Sequence, residues 1–283
     1  MLRSSNATPN RRRDVLVVCA LALGLAAVTL ALSPSRSARA DPASLPITRP
    51  AESLAPAQAA ATLPPPLPLL PTQRATLADD LGRTIEVYPP LDGGPRSPLV
   101  VFLHATCMDP RPVCDLVGRS GREGTFLVCP SGNATCYGAP DWHGPAEAKS
   151  AFLSSALEKV DLRFGKHIAH DDTLIGWSRG AFAARDILYA DVARGAAPRF
   201  TSLVLIAADV TPDPVKLRKA GIRRVFLTAG DQDGSRTTMK RAADKLNAAG
   251  IPARYSSLGP IGHWLPEDFD KRLAPGIAWA REK

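Results

Sequence analysis

The sequence predicts an α/β fold in which a mainly parallel central sheet is flanked by helices on both faces. Two observations predict it. Residues 99–103 and 126–129 are continuous apolar runs, which are typical of strands buried on both faces. From residue 76 onward, such runs alternate with helix-like stretches, and this alternation is the mark of parallel strands joined by helices. Ligands bind to such sheets beyond the carboxyl ends of the strands.

The elements follow one another in a regular order. Residues 84–88 are predicted to form an edge strand, and residues 146–164 an amphipathic helix. A helix over 237–249 is closed by Gly250 and Pro252, a regular stop signal. The other predicted strands are 173–176, 203–207, 225–228 and 254–258, and the other predicted helices are 179–193, a short one at 214–220, and 268–281, which we expect to be interrupted near Pro275.

The net charge of the 283-residue chain is +8, which at face value suggests an acidic partner such as nucleic acid. Residues 1–40, however, hold six arginines and a single acid, Asp14. The rest of the chain has 29 basic and 26 acidic residues, a balance of only +3. We therefore expect no nucleic-acid partner.

The N-terminus has the pattern of an export signal. Arg11, Arg12 and Arg13 precede an apolar run over 15–32, and a small-residue stretch ends in Ala-Arg-Ala at 38–40. Residues 1–40 are predicted to be a signal peptide, of the twin-arginine or the ordinary kind, with an uncleaved membrane anchor as the alternative. Residues 41–75 contain nine prolines and are predicted to be a linker, and 76–283 the catalytic domain. The location expected is periplasmic or secreted, with membrane contact only through an uncleaved N-terminal segment.

Four cysteines, besides Cys19 in the apolar run, lie within 30 residues of one another. An even number in an exported chain predicts two disulfides. Of the three pairings, we favour the two that close short loops, between Cys107 and Cys114 and between Cys129 and Cys136. A four-cysteine zinc site is the rival interpretation, but neither pair has the spacing of common structural zinc sites.

A Gly-x-Ser-x-Gly motif follows the strand predicted at 173–176. It reads Gly176-Trp177-Ser178-Arg179-Gly180, with a predicted helix directly after it. The two glycines allow the chain to turn sharply between strand and helix, so that the serine hydroxyl stands clear of the backbone. Ser178 is therefore a candidate nucleophile.

A nucleophilic serine needs a base and an acid that orients the base. His263 is the only histidine downstream of Ser178, and it lies in the loop after the last predicted strand. For the acid, Asp231 and Asp233 compete in the loop after 225–228, and we prefer Asp233 because Gly234 permits a bend toward His263. Asp209 is a third, weaker candidate.

The tetrahedral oxyanion of acyl transfer needs hydrogen-bond donors. The expected donors are the N–H of Arg179 and that of Thr106, with Ala105 as the alternative. His104, in the same loop, is expected to be structural. Trp142, Trp177 and Trp264 are candidate walls of a substrate pocket.

These motifs together resemble the α/β-hydrolase fold superfamily. They look like its compact secreted serine esterases, similar to polyhydroxybutyrate depolymerases, feruloyl esterases and dienelactone hydrolases. The resemblance covers residues 84–281 and rests on the segments at 103–107, 176–180, 230–233 and 262–264. It departs from the usual pattern at His104-Ala105, where His-Gly is common. The short segment between 207 and 225 implies that there is no large lid. The resemblance implies serine hydrolysis of small or polymer-attached esters without a metal or cofactor.

Overall fold

The computed structural model describes residues 73–282, so the predicted signal segment and nearly all of the predicted linker lie outside the described residues. Within these residues there are ten strands: β1 (Ala75–Ala78), β2 (Thr84–Tyr88), β3 (Leu99–Leu103), β4 (Phe126–Pro130), β5 (Ala134–Cys136), β6 (Ala139–Asp141), β7 (Asp172–Trp177), β8 (Phe200–Ile206), β9 (Arg224–Ala229) and β10 (Ala253–Ser257). The same part of the chain contains six α-helices: α1 (Pro110–Val117), α2 (Ala146–Phe164), α3 (Arg179–Ala193), α4 (Pro214–Lys219), α5 (Arg236–Ala248) and α6 (Phe269–Arg281).

Eight of the strands form one sheet in the order β1-β2-β4-β3-β7-β8-β9-β10. The last six in this order are parallel to one another, whereas β2 runs antiparallel to both of its neighbours, β1 and β4. Strands β5 and β6 form a separate hairpin. The predicted mainly parallel sheet is therefore confirmed.

The helices cover both faces of the sheet, as predicted. Strand β3 shows why, since all five of its side chains are buried and they point alternately to the two faces. Leu99, Val101 and Leu103 belong to the core that includes residues of α2, α3 and α5. Val100 and Phe102 belong to the core on the other face, with α1 and α6. A strand buried in this way must be apolar at every position, which is the pattern that predicted it.

Two predictions about the elements were wrong. Strand β2 is not at the edge, because β1 pairs with it on its outer side. Helix α6 is not interrupted at Pro275 but continues to Arg281. Proline removes one N–H from the helix, yet α6 keeps Leu273 and Ile277 buried against the sheet on either side of it. Packing therefore outweighs the local cost.

The favoured disulfide pairing was also wrong. The structure pairs Cys107 with Cys136 and Cys114 with Cys129, with Cα atoms 5.1 and 6.5 Å apart. The second bridge joins α1 to β4, and the first joins the loop after β3 to the hairpin of β5 and β6. The pairing follows the tertiary structure and not the shortest loops. All four sulfur atoms are bonded in pairs, so they are not thiolate ligands of a zinc site. Disulfides of this kind persist in oxidising compartments.

The connection between β8 and β9 holds only the short helix α4, in agreement with the predicted lack of a large lid in the described part of the chain. Within residues 73–282, every helix is too short or too polar to span a bilayer.

Candidate active site

Ser178 occupies a strained turn between β7 and α3. Its φ of 53° and ψ of −116° lie in a region that residues with a side chain rarely adopt. Its N–H donates to the carbonyl of Ile206 in the neighbouring strand β8, at 2.8 Å. This bond anchors the turn at the carboxyl edge of the sheet, and the hydroxyl points away from the strand.

The motif glycines are required by close backbone contacts. A Cβ atom on Gly176 would overlap the carbonyl oxygen of Gly180, and one on Gly180 would overlap that of Leu103. Helix α3 therefore starts directly against β3 and β7, which a larger residue at either position would prevent. The Gly-x-Ser-x-Gly pattern therefore has a steric basis, because the turn requires a glycine at both positions.

His263 lies in the loop after β10 and contacts the serine. Its Nε2 is 2.9 Å from Oγ of Ser178. About half of its side chain is exposed to solvent. The next residue, Trp264, meets the buried Trp177 edge to face, with ring centroids 5.7 Å apart. This contact fixes the loop that carries the imidazole.

The structure brings Asp233, and not Asp231, to the imidazole. Oδ2 of Asp233 is 2.8 Å from Nδ1 of His263, and the carboxylate is almost fully buried. Asp231 instead points toward Arg236, with 3.5 Å between the charged atoms. Asp209 is exposed. Gly230 explains the path of the loop, because a Cβ there would overlap the carbonyl of Ile261.

Asp233 is held in its ionised form. Burial raises the pKa of its carboxyl group, but hydrogen bonds from Ser235 and His263 lower it more, so the pKa lies below its ordinary value. Ser235 donates both its N–H and its hydroxyl to Oδ1, at 2.7 Å each. The sequence analysis did not single out Ser235. The Asp-Gly-Ser sequence, in which a serine two residues after an aspartate can close a local turn, is the signal that was available.

The two residues that carry the predicted oxyanion donors contact each other through their side chains. The guanidinium Nε of Arg179 donates to Oγ1 of Thr106 at 2.8 Å, which links the start of α3 to the loop after β3. Among residues 73–282, we find no acceptor for the backbone N–H of Thr106, Ala105 or Arg179. Thr106 is exposed, whereas Ala105 is buried, so Thr106 is the better placed of the two to meet a ligand.

The loop after β3 is tied to the hairpin of β5 and β6. Besides the disulfide from Cys107, the N–H of Met108 donates to the carbonyl of Pro140 at 3.0 Å. The N–H of Cys107 is 3.4 Å from Oδ1 of the buried Asp141, and Nε of Arg179 lies at the same distance from that oxygen. Asp141 therefore contacts both the loop after β3 and the first residue of α3, next to the predicted oxyanion site.

His104 was expected to be structural, and it is buried beneath the loop after β3. It is fully buried, and its two ring nitrogens lie 2.7 Å from the carbonyl of Ala105 and 2.8 Å from that of Ser131. Burial lowers the pKa of His104, which outweighs the opposite effect of these carbonyls. The ring therefore supports the loop from within the fold.

A cavity of about 310 Å³ opens beside Ser178. Six of its lining residues are Thr106, Trp142, Lys149, Ser178, Arg179 and Phe182. Of the three tryptophans predicted to form a pocket, Trp142 lines this cavity, whereas Trp177 and Trp264 pack against each other. Lys149 and Phe182 were not among the predicted site residues, because both lie inside helices whose core pattern gives no sign of a ligand.

The described residues contain one group of potential metal ligands, Cys107, Cys136 and Asp141. Its two sulfur atoms are joined in a disulfide. The group is therefore a structural feature of the loop and not a set of free ligands.

Comparison with known proteins supports the fold. By sequence, no family model and no curated protein matches this chain. By structure, the chain is similar to esterase PE8, with 21% identity, a TM-score of 0.54, and coverage of 73% of this chain and 100% of that one. It is also similar to an esterase of the archaeon Pyrobaculum calidifontis, with 16% identity, a TM-score of 0.53, and coverage of 74% and 84%. A third similar structure is FphF, a fluorophosphonate-binding serine hydrolase of Staphylococcus aureus, with 14% identity, a TM-score of 0.53, and coverage of 76% and 99%. The sheet order, the turn at Ser178 and these similarities together identify the α/β-hydrolase fold.

Proposed function

We propose that this protein is an exported serine hydrolase that cleaves carboxylic esters through an acyl-enzyme on Ser178. The observation that carries the proposal is the continuous chain of hydrogen bonds from Ser178 through His263 to Asp233, with distances of 2.9 and 2.8 Å. These are the contacts that a serine nucleophile, a general base and an orienting acid require. The esterase names of the structural neighbours support the same reaction class.

The reaction has two steps. Oγ of Ser178 bonds to the ester carbonyl carbon while its proton passes to Nε2 of His263, and the N–H groups of Thr106 and Arg179 stabilise the oxyanion. The bond to the alcohol oxygen then breaks, and this oxygen takes the proton from His263. Water next attacks the acyl carbon and gives a proton to His263. The bond from this carbon to Oγ of Ser178 then breaks, and Oγ takes the proton back from His263, which releases the acid and restores the free serine. Asp233 holds the imidazole in the tautomer with its proton on Nδ1.

The test compares the protein with its Ser178→Ala variant on 4-nitrophenyl butyrate. The variant should lose hydrolysis by at least about 10³-fold. A fluorophosphonate probe should label the protein and not the variant. Unchanged hydrolysis by the variant would disprove the assignment of Ser178. Labelling without ester hydrolysis would favour a peptidase or an acyltransferase that uses the same residues, and folded protein without labelling would favour a binding module.

Export is part of the proposal and is supported by two features. The N-terminal segment has the pattern of a signal peptide, and the two disulfides suit an oxidising compartment. Fractionation of cells that produce the full chain tests it, since the chain should leave the cytoplasm in oxidised form. Recovery of reduced protein in the cytoplasm alone would contradict it.

A further inference from the structure

The cavity beside Ser178 contains two basic side chains, Lys149 of α2 and Arg179 of α3. A pocket for a simple alkyl chain needs neither of them, because apolar walls suffice. Lys149 is the more unusual, since its side chain is only 11% exposed and buried lysines need a partner or a ligand. The charges around these two residues therefore indicate what the cavity binds.

Lys149 shares its partner with another cation. Its Nζ donates to Oδ2 of Asp186 at 2.7 Å. The guanidinium of Arg185 donates to the other oxygen, Oδ1, at 2.6 and 3.0 Å. One carboxylate thus faces two cations, and Lys149 keeps donors that Asp186 does not occupy.

Arg179 has a single, distant carboxylate. Its Nε is 3.4 Å from Oδ1 of the buried Asp141. Neither Asp141 nor Asp186 lines the cavity, and the residues that do line it include Lys149 and Arg179 but no carboxylate. Glu147, in the first turn of α2, does not line the cavity.

Two long helices add to the positive electrostatic potential in the cavity, because both begin beside it. Gly144, which lines it, lies just before the start of the 19-residue α2, and Pro145 at the N-cap provides no side-chain bond to the free N–H groups. The 15-residue α3 begins at Arg179. Helix N-termini carry a partial positive charge that favours anions, and here they act beside the two basic side chains.

The lining also indicates which half of an ester enters the cavity. The alcohol must leave toward His263, which gives it a proton, and His263 does not line the cavity. Thr106 and Arg179, which carry the proposed oxyanion donors, do line it. The cavity therefore lies on the acyl side of the carbonyl, where Phe182 and Trp142 provide apolar contacts for methylene groups.

Building on the proposed function, we infer that the substrates are esters whose acyl group ends in a carboxylate, such as half-esters of short dicarboxylic acids, and that Lys149 binds this carboxylate. Lys149 is a specificity residue in this arrangement and takes no part in the chemical step.

The experiment compares two esters that differ in one terminal group, 4-nitrophenyl hydrogen succinate and 4-nitrophenyl butyrate. Spontaneous hydrolysis is subtracted with the Ser178→Ala protein as the blank. We expect kcat/KM to be at least about tenfold higher for the succinate, the effect of one charge-assisted hydrogen bond. High salt should reduce this ratio. The hemiglutarate and hemiadipate esters then show which chain length suits the cavity.

The variant Lys149→Met should abolish most of the preference, mainly by raising KM for the succinate ester, whereas Lys149→Arg should retain part of it. Lys159→Met is the matched control, because Lys159 lies on the same helix and pairs with Asp80 away from the cavity, at 2.6 Å. It should leave both rates unchanged. If Lys149→Met folds and keeps the full preference, Lys149 does not bind the carboxylate and the inference is wrong. Should Lys149→Met fail to fold, the ratio in the unmodified protein tests the preference and Lys149→Arg tests the role of Lys149.

Two further outcomes would overturn the inference, and they are distinguishable. If the protein hydrolyses the butyrate through Ser178 at a rate equal to or above that of the succinate, the inference fails and the proposed function stands. If neither ester is hydrolysed in a Ser178-dependent manner, the proposed function fails and this inference fails with it.

Discussion

One carboxylate oxygen of Asp233 accepts both the N–H and the hydroxyl of Ser235, and this leaves the other oxygen for His263. The bonds from Ser235 thus orient the carboxylate of Asp233 independently of its contact with His263. These bonds also hold the pKa of Asp233 below the ordinary value of 3.8, despite the opposing effect of burial.

As the pH is lowered, activity should therefore fall because a single group takes up a proton. In the proposed mechanism, the imidazole of His263 must be neutral to accept the serine proton, and the lowered pKa of Asp233 keeps its carboxylate ionised at mildly acidic pH. A plot of log(kcat/KM) against pH should fall with a limiting slope of one down to about pH 4. A slope of two would mean that Asp233 is protonated in the same range.

Asp231 and Asp233, which both lie in the loop after β9, should differ sharply in their importance for activity. Asp233→Asn removes the acceptor that fixes the imidazole tautomer, and kcat should fall by about 10⁴-fold. Asp231→Asn is the matched control, since Asp231 is partly exposed and its nearest cation is Arg236 at 3.5 Å. It should change kcat less than about threefold. Equal losses in the two variants would contradict the assignment of the acid.

The contact between Gly180 and Leu103 predicts a stability effect. Gly180→Ala places a Cβ against the carbonyls of Leu103 and His104, and it should lower the free energy of unfolding by about 1–3 kcal/mol or more. Gly165→Ala is the control, because Gly165 has helical dihedral angles and open space around it, and it should be neutral or stabilising. Urea unfolding measures both. An equal tolerance of alanine at the two sites would refute the close approach.

The disulfide that joins α1 to β4 should contribute to stability. Replacing Cys114 and Cys129 by alanine opens a loop with a sequence separation of 15, which should cost about 3 kcal/mol of unfolding free energy. Replacing Cys107 and Cys136 should lower kcat as well, because this bridge holds the loop that carries Thr106. Peptide mapping without reduction should recover these two pairs. Recovery of the pair Cys107–Cys114 would refute the pairing.

The sequence predicted most of the sheet, because each buried strand is an apolar run that is visible locally. It also located the turn at Ser178, since a tight strand-to-helix turn needs glycines at fixed positions. The choice between Asp231 and Asp233 rested on the path of a loop, and Gly234 indicated that path. These features depend on a few neighbouring residues, which explains why a single sequence contains them.

The features that were missed depend on contacts between distant parts of the chain. Strand β1 is only four residues long and forms by pairing with β2, so nothing in its own sequence distinguishes it from the linker. Helix α1 begins with Pro110 and contains Pro112, which resembles a loop until its buried face is seen. The disulfide pairing follows from where α1 and the hairpin of β5 and β6 lie. The role of Lys149 depends on α2 and α3 meeting at the cavity.

The two disulfides are nested, with the bridge of Cys114 and Cys129 lying inside the loop closed by Cys107 and Cys136. An unfolded chain that keeps both bridges therefore still holds the loop after β3, helix α1, strand β4 and strand β5 close to one another. Closing such loops is part of the entropic barrier to forming a sheet from distant strands. The oxidised chain begins its search for the native state with that part of the barrier already removed, so the crosslinks affect the rate at which this protein folds as well as its final stability.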